Sequence, residues 1–414
     1  MKASPTTPPD PPRARVPTPV VELHEARGAS RSLSLLRGAF GRVMAANFAF
    51  FLNFASFFLL PLFVKELGGS ESTVGMVMGC GGLATLVTLP LVGRWIDRLS
   101  RPWLFATGSF AMTLAAAGYL LVHDTGALLF FLRLVQGVAF GASFTAATTL
   151  AASLAPPDMR ARALGWFGVS TLLTHALAPA LGEELIHRAG FPALFLAAAA
   201  CSSFAGFWMI RVHDPLVPST LSGAVGRLPA AHYLLGAVMI FFGMGFGCVT
   251  TYAASFIQAE HLGRVGAFFT AYTACAIAVR IFGGSLSDRW GRTVVVLPAL
   301  VLLGTSIFAL AVVRSPLALV TTGAIFGLAQ GMAYPTLHAF LVDLSPAPVL
   351  GKAQALFNGS FNLGVMSSAF LFGLVADAWG QRPMFALAAA TPFAAALLFG
   401  LGTKIVSQRR FHQW

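Results

Sequence analysis

Residues 283–293 read GGSLSDRWGRT, and residues 92–102 read VGRWIDRLSRP. Each stretch sets an aspartate and arginines just behind a glycine, with long apolar runs on both sides. The surrounding chain is 57% hydrophobic and 10% charged over its 414 residues. Soluble domains carry about 25% charged residues. That deficit excludes an ordinary cytosolic protein and predicts a polytopic membrane protein. The meaning of the two charged stretches depends on how the apolar runs are arranged around them.

About 20 apolar residues span roughly 30 Å of hydrocarbon as a helix. Twelve such spans are predicted, at 43–64, 74–93, 103–122, 127–154, 164–186, 191–212, 233–257, 266–286, 293–313, 317–342, 353–376 and 384–403. Runs this long lack the alternation of a membrane barrel, so the predicted class is all-α. With the N-terminus in the cytosol, 20 of the 27 Lys and Arg fall on the cytosolic side. Five, Lys65, Arg188, Arg264, Arg314 and Arg382, fall outside, and Arg133 and Arg280 lie within spans. This excess of inside cations matches the positive-inside rule and an even number of crossings. It places both termini in the cytosol and the chain in the cell membrane.

The net charge of +12 follows from that topology. No basic stripe of the kind that tracks nucleic-acid phosphates is present. Cys80, Cys201, Cys248 and Cys275 all lie in apolar runs without CxxC spacing, so neither a metal site nor a disulfide framework is expected. Residues 1–42, rich in proline and poor in aromatics, are expected to be a disordered cytosolic tail. Residues 213–232, HDPLVPSTLSGAVGRLPAAH, read as a linker between two six-span bundles, 43–212 and 233–403, and 404–414 as a cytosolic C-terminal tail.

The two charged stretches then become corresponding parts of those bundles. Asp97-Arg98 and Asp288-Arg289 stand 191 residues apart, each four positions after a glycine, Gly93 or Gly284, in the second loop of its half. Gln136-Gly137 answers Gln330-Gly331, RARAL (160–164) answers KAQAL (352–356), and Gly182 answers Gly373. Parallel repeats of this kind mark alternating-access carriers. An acid at a helix end can cap a neighbouring helix and pair with arginines. A contact of that sort between halves forms in only one conformation and acts as a latch. Simple topological anchoring accounts for the arginines but not for the acid or its distance from glycine.

These residues resemble the major facilitator superfamily over about 43–403, with the loop motif Gly-x-x-x-Asp-Arg-x-Gly-Arg at Gly284, Asp288, Arg289, Gly291 and Arg292. The first copy keeps Gly93, Asp97, Arg98 and Arg101, with Ser100 and Pro102 departing from the pattern. The resemblance implies twelve helices in two pseudo-symmetric bundles. It also links the Arg133-x-x-Gln136-Gly stretch of span four to substrate or proton coupling. Span five carries Gly165, Gly168, Pro179 and Gly182, a partial match to the antiporter branch in which Ala178 and Glu183 replace two expected glycines. Export is therefore favoured over uptake.

Other mid-span polar residues are candidates to line a cavity: Asn47, Asn53, His175, Tyr252, Gln330, Tyr334, His338, Asn358 and Asn362. Gln330, Tyr334 and His338 fall on one helical stripe. His175 or His338 is a candidate proton carrier, because histidine changes charge near neutral pH. Spans one and four hold no carboxylate. Glu183, Glu184, Asp343 and Asp377 sit at span ends and read as solvated anchors, and Arg280 reads as part of the second latch.

The predicted function is secondary transport of a small organic solute, with protons as the coupled partner, in a monomer embedded in lipid. An uptake carrier for a sugar or organic acid is the alternative. A non-transporting receptor or an intramembrane enzyme is more remote. No GxxxxGK[ST] phosphate loop, HExxH or GxSxG is present in a span, and no cofactor is expected.

Overall fold

Hydrocarbon offers no water to backbone N–H and C=O groups, so a chain inside it satisfies them along its own helix. The computed structural model describes residues 38–96, 99–156, 159–214, 228–283, 286–346 and 349–411, together with Leu36. Among the described residues it holds helices and no strand. Most of the expected tail (1–42) and the centre of the expected linker, 215–227, lie outside the described residues.

Eleven helices are long and apolar enough to cross a membrane, and one of them provides two crossings. In the first half these are α1 (Ala39–Glu66), α2 (Glu71–Trp95), α3 (Arg101–Leu121) and α4 (Ala127–Leu154). The run Arg160–Ile210 breaks at Gly190, whose φ of 73° leaves the helical region. Its legs are α5 (160–189) and α6 (191–210). They fold back on each other, since a Cβ on Gly182 would lie 2.8 Å from a Leu194 methyl. A residue with φ this positive is strained unless it is glycine. Twelve crossings result, as the sequence predicts.

The second half contains α7 (Ala230–Ala259), α8 (Val265–Phe282), α9 (Arg292–Val312), α10 (Pro316–Leu344), α11 (Leu350–Trp379) and α12 (Gln381–Thr403). A short helix, Leu286–Trp290, precedes α9. Helix continues past Thr403 to Phe411, so the last helix reaches beyond the boundary expected at 403. The first helix begins at Ala39, four residues before the expected start. Ser70 and Ser315 cap α2 and α10, accepting from the amides of Thr73 and Ala318, which answers N–H groups that a helix start leaves unpaired.

Both halves pack in the same order. Helix α2 lies on α4 and α3 on α4; in the second half, α8 lies on α10 and α9 on α10. Helix α1 packs on α5 and α6, as α7 packs on α11 and α12. The halves meet along two seams, α2 with α11 and α5 with α8. The start of α1 at Ala39 and the end of the last helix lie on one face, the terminus face. The loops at 67–70, 260–264 and 313–315 lie on the opposite, far face. Small residues let these helices approach closely where lipid supplies no hydrophobic drive. At the α2–α11 seam a Cβ on Gly75 would collide with the Ala369 carbonyl.

Two glycines separate turn chemistry from packing. Replacing Gly190 by alanine forces an L side chain into the left-handed region, at roughly 1–2 kcal/mol. Gly165 has no atom within 4 Å of an added Cβ and lies within a helix, where alanine is the better residue by about 1 kcal/mol. Gly190→Ala is expected to lower the apparent melting temperature of the detergent-purified protein. Gly165→Ala is expected to leave it unchanged or higher. Equal melting of both variants would remove the turn assignment.

Candidate functional site

Charge inside a bilayer has to be answered by the protein itself. In the first half, Arg133 on α4 donates to Gln136 Oε1 at 3.0 Å and to the Met78 sulfur at 2.9 Å. Its guanidinium stands 6.0 Å above the Phe57 ring. Tyr119 donates to the same Gln136 oxygen at 3.0 Å. The three-residue spacing of Arg133 and Gln136 thus places both on one helix face. Their cluster lies within the first half.

Asn47, Asn53 and Tyr252 are fully buried. Asn47 donates to Thr171 at 2.9 Å, and Asn53 to the Ala198 carbonyl at 2.7 Å and Ser202 at 3.1 Å. Tyr252 donates to the Ala369 carbonyl. All three join helices of the same half and turn no free polar atom towards a cleft, apart from the unpaired amide oxygens of the asparagines.

A second cluster forms between the halves at mid-depth. His175 on α5 packs edge-on to Phe58, with ring centroids 5.1 Å apart, and stacks over Tyr272 of α8 at 6.3 Å. Phe58 stacks on Phe269 at 5.4 Å. Arg280 lies two turns beyond Tyr272 on α8, near the terminus face. The sequence reading assigned it to the second latch, but its side chain goes the other way. Side chains tilt towards the N-terminus of their helix, and the N-terminus of α8 is at the far face. The guanidinium therefore climbs into the protein. A Cβ on Gly168, about two turns into α5, would be 3.8 Å from its Nη1. It interacts electrostatically with His175, Tyr272 and Tyr334.

Further along α10, Tyr334 donates to Asn358 Oδ1 at 3.3 Å, and His338 meets Phe357 edge-on at 5.6 Å. Asn362 donates to the Asn358 carbonyl within α11. Gln330, Tyr334 and His338 do share one stripe, and Asn358 faces it from α11. Four buried atoms in this region have no hydrogen-bond partner among the described residues: His175 Nδ1, Tyr272 Oη, Arg280 Nε and Gln330 Oε1.

The far face is closed by a pair of contacts that were not foreseen from the sequence. Asp377 at the end of α11 accepts from the backbone amides of Glu71 at 2.7 Å and Ser72 at 3.0 Å, the first residues of α2. Glu183 on α5 accepts from the amides of Val265 at 3.1 Å and Gly266 at 2.8 Å, the first residues of α8. Each carboxylate caps a helix of the opposite half. Asp377 follows Glu183 by 194 residues, and Val265-Gly266 follows Glu71-Ser72 by 194. The two caps are one contact repeated by the internal symmetry. The expectation that both acids are merely solvated anchors is corrected, although Asp377 does remain exposed to water. Arg264 adds an exposed ion pair to Glu184 across the same seam at 3.6 Å.

Toward the terminus face no close approach between the halves is seen among the described residues. On the α2–α11 seam, close approach extends inward to Gly82 and Met366, and on the α5–α8 seam to Gly168 and Arg280. Nearer that face, Gly93, Gly165, Gly351 and Gly359 have no atom within 4 Å of an added Cβ. Phe282, at the end of α8, is 84% exposed.

Of the expected latch residues, Asp97, Arg98 and Gly284 lie outside the described residues, as does the side chain of Asp288. Arg289 is exposed. Arg101 binds the first half itself: its amide donates to Asp214 at 2.9 Å, and its guanidinium donates to Ser153 at 3.2 Å. Arg292 does the same in the second half, with Asp343 at 3.0 Å and Ser287 at 2.7 Å. The contacts to Ser153 and Asp343 brace the loops against the inner ends of α4 and α10, while Asp214 follows α6 and Ser287 lies in the short helix before α9. In α5, Gly182 packs on Leu59 and Leu194, and Pro179 lies within the helix.

Comparison with known proteins agrees with this architecture. The chain is 25% identical over 375 residues to the MFS-type transporter STM4428 of Salmonella typhimurium, covering 84% of this chain and 92% of that one. It is 24% identical over 336 residues to a multi-drug resistance efflux pump PmrA homolog of Lactococcus lactis, covering 77% and 82%. The crystal structure of the nucleoside transporter NupG superposes with a TM-score of 0.77 at 14% identity, over 88% of this chain and all of that one. The profile of the Major Facilitator Superfamily matches residues 43–263 and 235–410. Twelve crossings, two matched halves and that profile together make this chain a member of the Major Facilitator Superfamily.

Proposed function

We propose that the protein is a monomeric secondary transporter of the cell membrane, with cytosolic termini, that exports a small organic solute in exchange for protons. The observation that carries this reading is the asymmetry between the two faces. The far face is held by two symmetry-related carboxylate caps, while toward the terminus face no close approach between the halves is seen among the described residues. A single rocking motion can exchange that arrangement for its opposite, and a solute in the mid-depth cleft then meets each side in turn. With cytosolic termini, the present arrangement is open inward.

Export is supported by the small residues of α5 and by the efflux pump among the relatives. His175, lying between the halves, and the two gate carboxylates are the titratable groups whose surroundings change in such a motion. The loops carrying Asp97 and Asp288 are the counterpart latch, closing the terminus face when the far face opens. Arg133 and Gln136 brace α4 against α2 beside the cleft.

Reconstituted vesicles with an imposed pH gradient, scored in both directions over a panel of solutes, test the reading. Export that follows the gradient is expected. Transport that ignores it removes proton exchange, and uptake removes the direction. Joining Ser72→Cys to Asp377→Cys with an oxidant should stop transport, with recovery on reduction; undiminished flux in the cross-linked protein would end the rocking mechanism.

Removing a cap carboxylate costs about 1 kcal/mol of far-face closure, roughly a fivefold shift in the ratio of the two forms. Glu183→Ala and Asp377→Ala are each expected to raise the labelling of a cysteine at Phe370 by an impermeant maleimide, in a background lacking the four native cysteines. The double variant should exceed either one. Asp97→Asn is expected to shift labelling in the opposite direction and to slow turnover without loss of expression. Normal flux in well-folded Asp97→Asn protein would remove the counterpart latch.

A further inference from the structure

We infer that the transported solute is an organic anion, held by Arg280 with His175 and Tyr272. This inference rests on the transport reading and specifies the solute class of its cleft.

The argument begins with where a membrane arginine normally goes. A long cationic side chain near a helix end extends towards the nearest water and keeps its charge there. Arg280 is two residues from the end of α8, with the terminus face beside it. Its guanidinium nevertheless turns inward, against Gly168 two turns into α5 and within electrostatic reach of His175, Tyr272 and Tyr334. None of these neighbours is acidic. No carboxylate pairs with Arg280 among the described residues, and its buried Nε has no hydrogen-bond partner.

Arg133 makes an instructive contrast. It also lacks a carboxylate and its buried Nε is likewise unpaired, but neutral groups answer its two terminal nitrogens and its face: Gln136, the Met78 sulfur and the Phe57 ring. Arg280 has no such set. Two of its neighbours are short of partners too, since Tyr272 Oη and His175 Nδ1 are buried and unpaired. Buried polar groups are nearly always satisfied, and exceptions call for a cause. A ligand carrying a carboxylate or phosphate would answer the guanidinium in the bidentate manner that arginine favours. It would also accept from the Tyr272 phenol and from a His175 ring N–H. Phe58, Phe269 and Phe326 line the same place, so the remainder of the solute is apolar or aromatic. A cation would meet a like charge here, and a neutral acceptor would take up hydrogen bonds but leave the charge unbalanced.

Four matched probes test this on the full-length protein in vesicles: benzoate, phenyl phosphate, benzamide and benzylamine. One or both anions should be transported, or should inhibit transport of the other, at concentrations at least tenfold below those needed for benzamide or benzylamine. Arg280→Gln should raise the half-saturating anion concentration at least tenfold, and Arg280→Lys should restore part of that loss. Tyr272→Phe, which leaves the packing intact, should give a smaller loss of the same sign. Anion handling unchanged in folded Arg280→Gln protein overturns the inference. So does action of none of the probes, or a preference for benzylamine. A chain that carries benzylamine or benzamide, and stops when Ser72→Cys and Asp377→Cys are joined, keeps the transport reading and loses this one.

Discussion

The first two residues of α2 and of α8 each present backbone N–H groups that no turn of their own helix can accept. At the far face both pairs are answered by a carboxylate from the other half, Asp377 and Glu183. This interaction sets how the two bundles stand. It draws α11 onto α2 and α8 onto α5 at one end, and Gly75 and Gly266 let the backbones come close enough for the carboxylates to reach. Seams joined at one end and free at the other produce a cleft that opens towards the terminus face.

The caps also explain how a chain with so few acids can hold two bundles together. In hydrocarbon a carboxylate is costly without a partner. At the rim it faces water on one side and the positive end of a helix on the other, so each contact is modest and reversible. A conformational equilibrium requires contacts of this size, since stronger ones would fix a single state. Placing the same contact on both seams sums two modest terms, and neither side of the interface opens in isolation.

Much of this fold was readable from the sequence. Apolar run length gave the twelve crossings, and the 191-residue echo of Gly-x-x-x-Asp-Arg gave the two halves. The break at Gly190 coincided with the short gap between spans five and six. The caps were not read, for a physical reason: the donors are backbone amides, and any residue supplies them. Only the acids leave a trace, and Glu183 or Asp377 alone at a span boundary looks like an anchor in water. Their 194-residue spacing, shared with Gln136 and Gln330, was the available signal. Arg280 was read as part of the second latch from its distance to the loop along the sequence, whereas its guanidinium lies against Gly168 of α5. The run of α8 from the far face to the terminus face carries the side chain the opposite way. Asn47, Asn53 and Tyr252 look like cavity residues in a linear sequence. Their amides and hydroxyl are instead taken up by α5, α6 and α11.

A guanidinium with no counter-charge at the centre of the fold has an electrical consequence. On the proposed reading, a bound anion would cancel a positive charge that the empty molecule carries between its halves. Moving one elementary charge across 100 mV is worth about 2.3 kcal/mol, and a cleft that changes sides shifts its charge through part of that field. In the proposed exchange, the anion-loaded form would be neutral at Arg280 and the returning, proton-loaded form would not, so voltage would act on the return step.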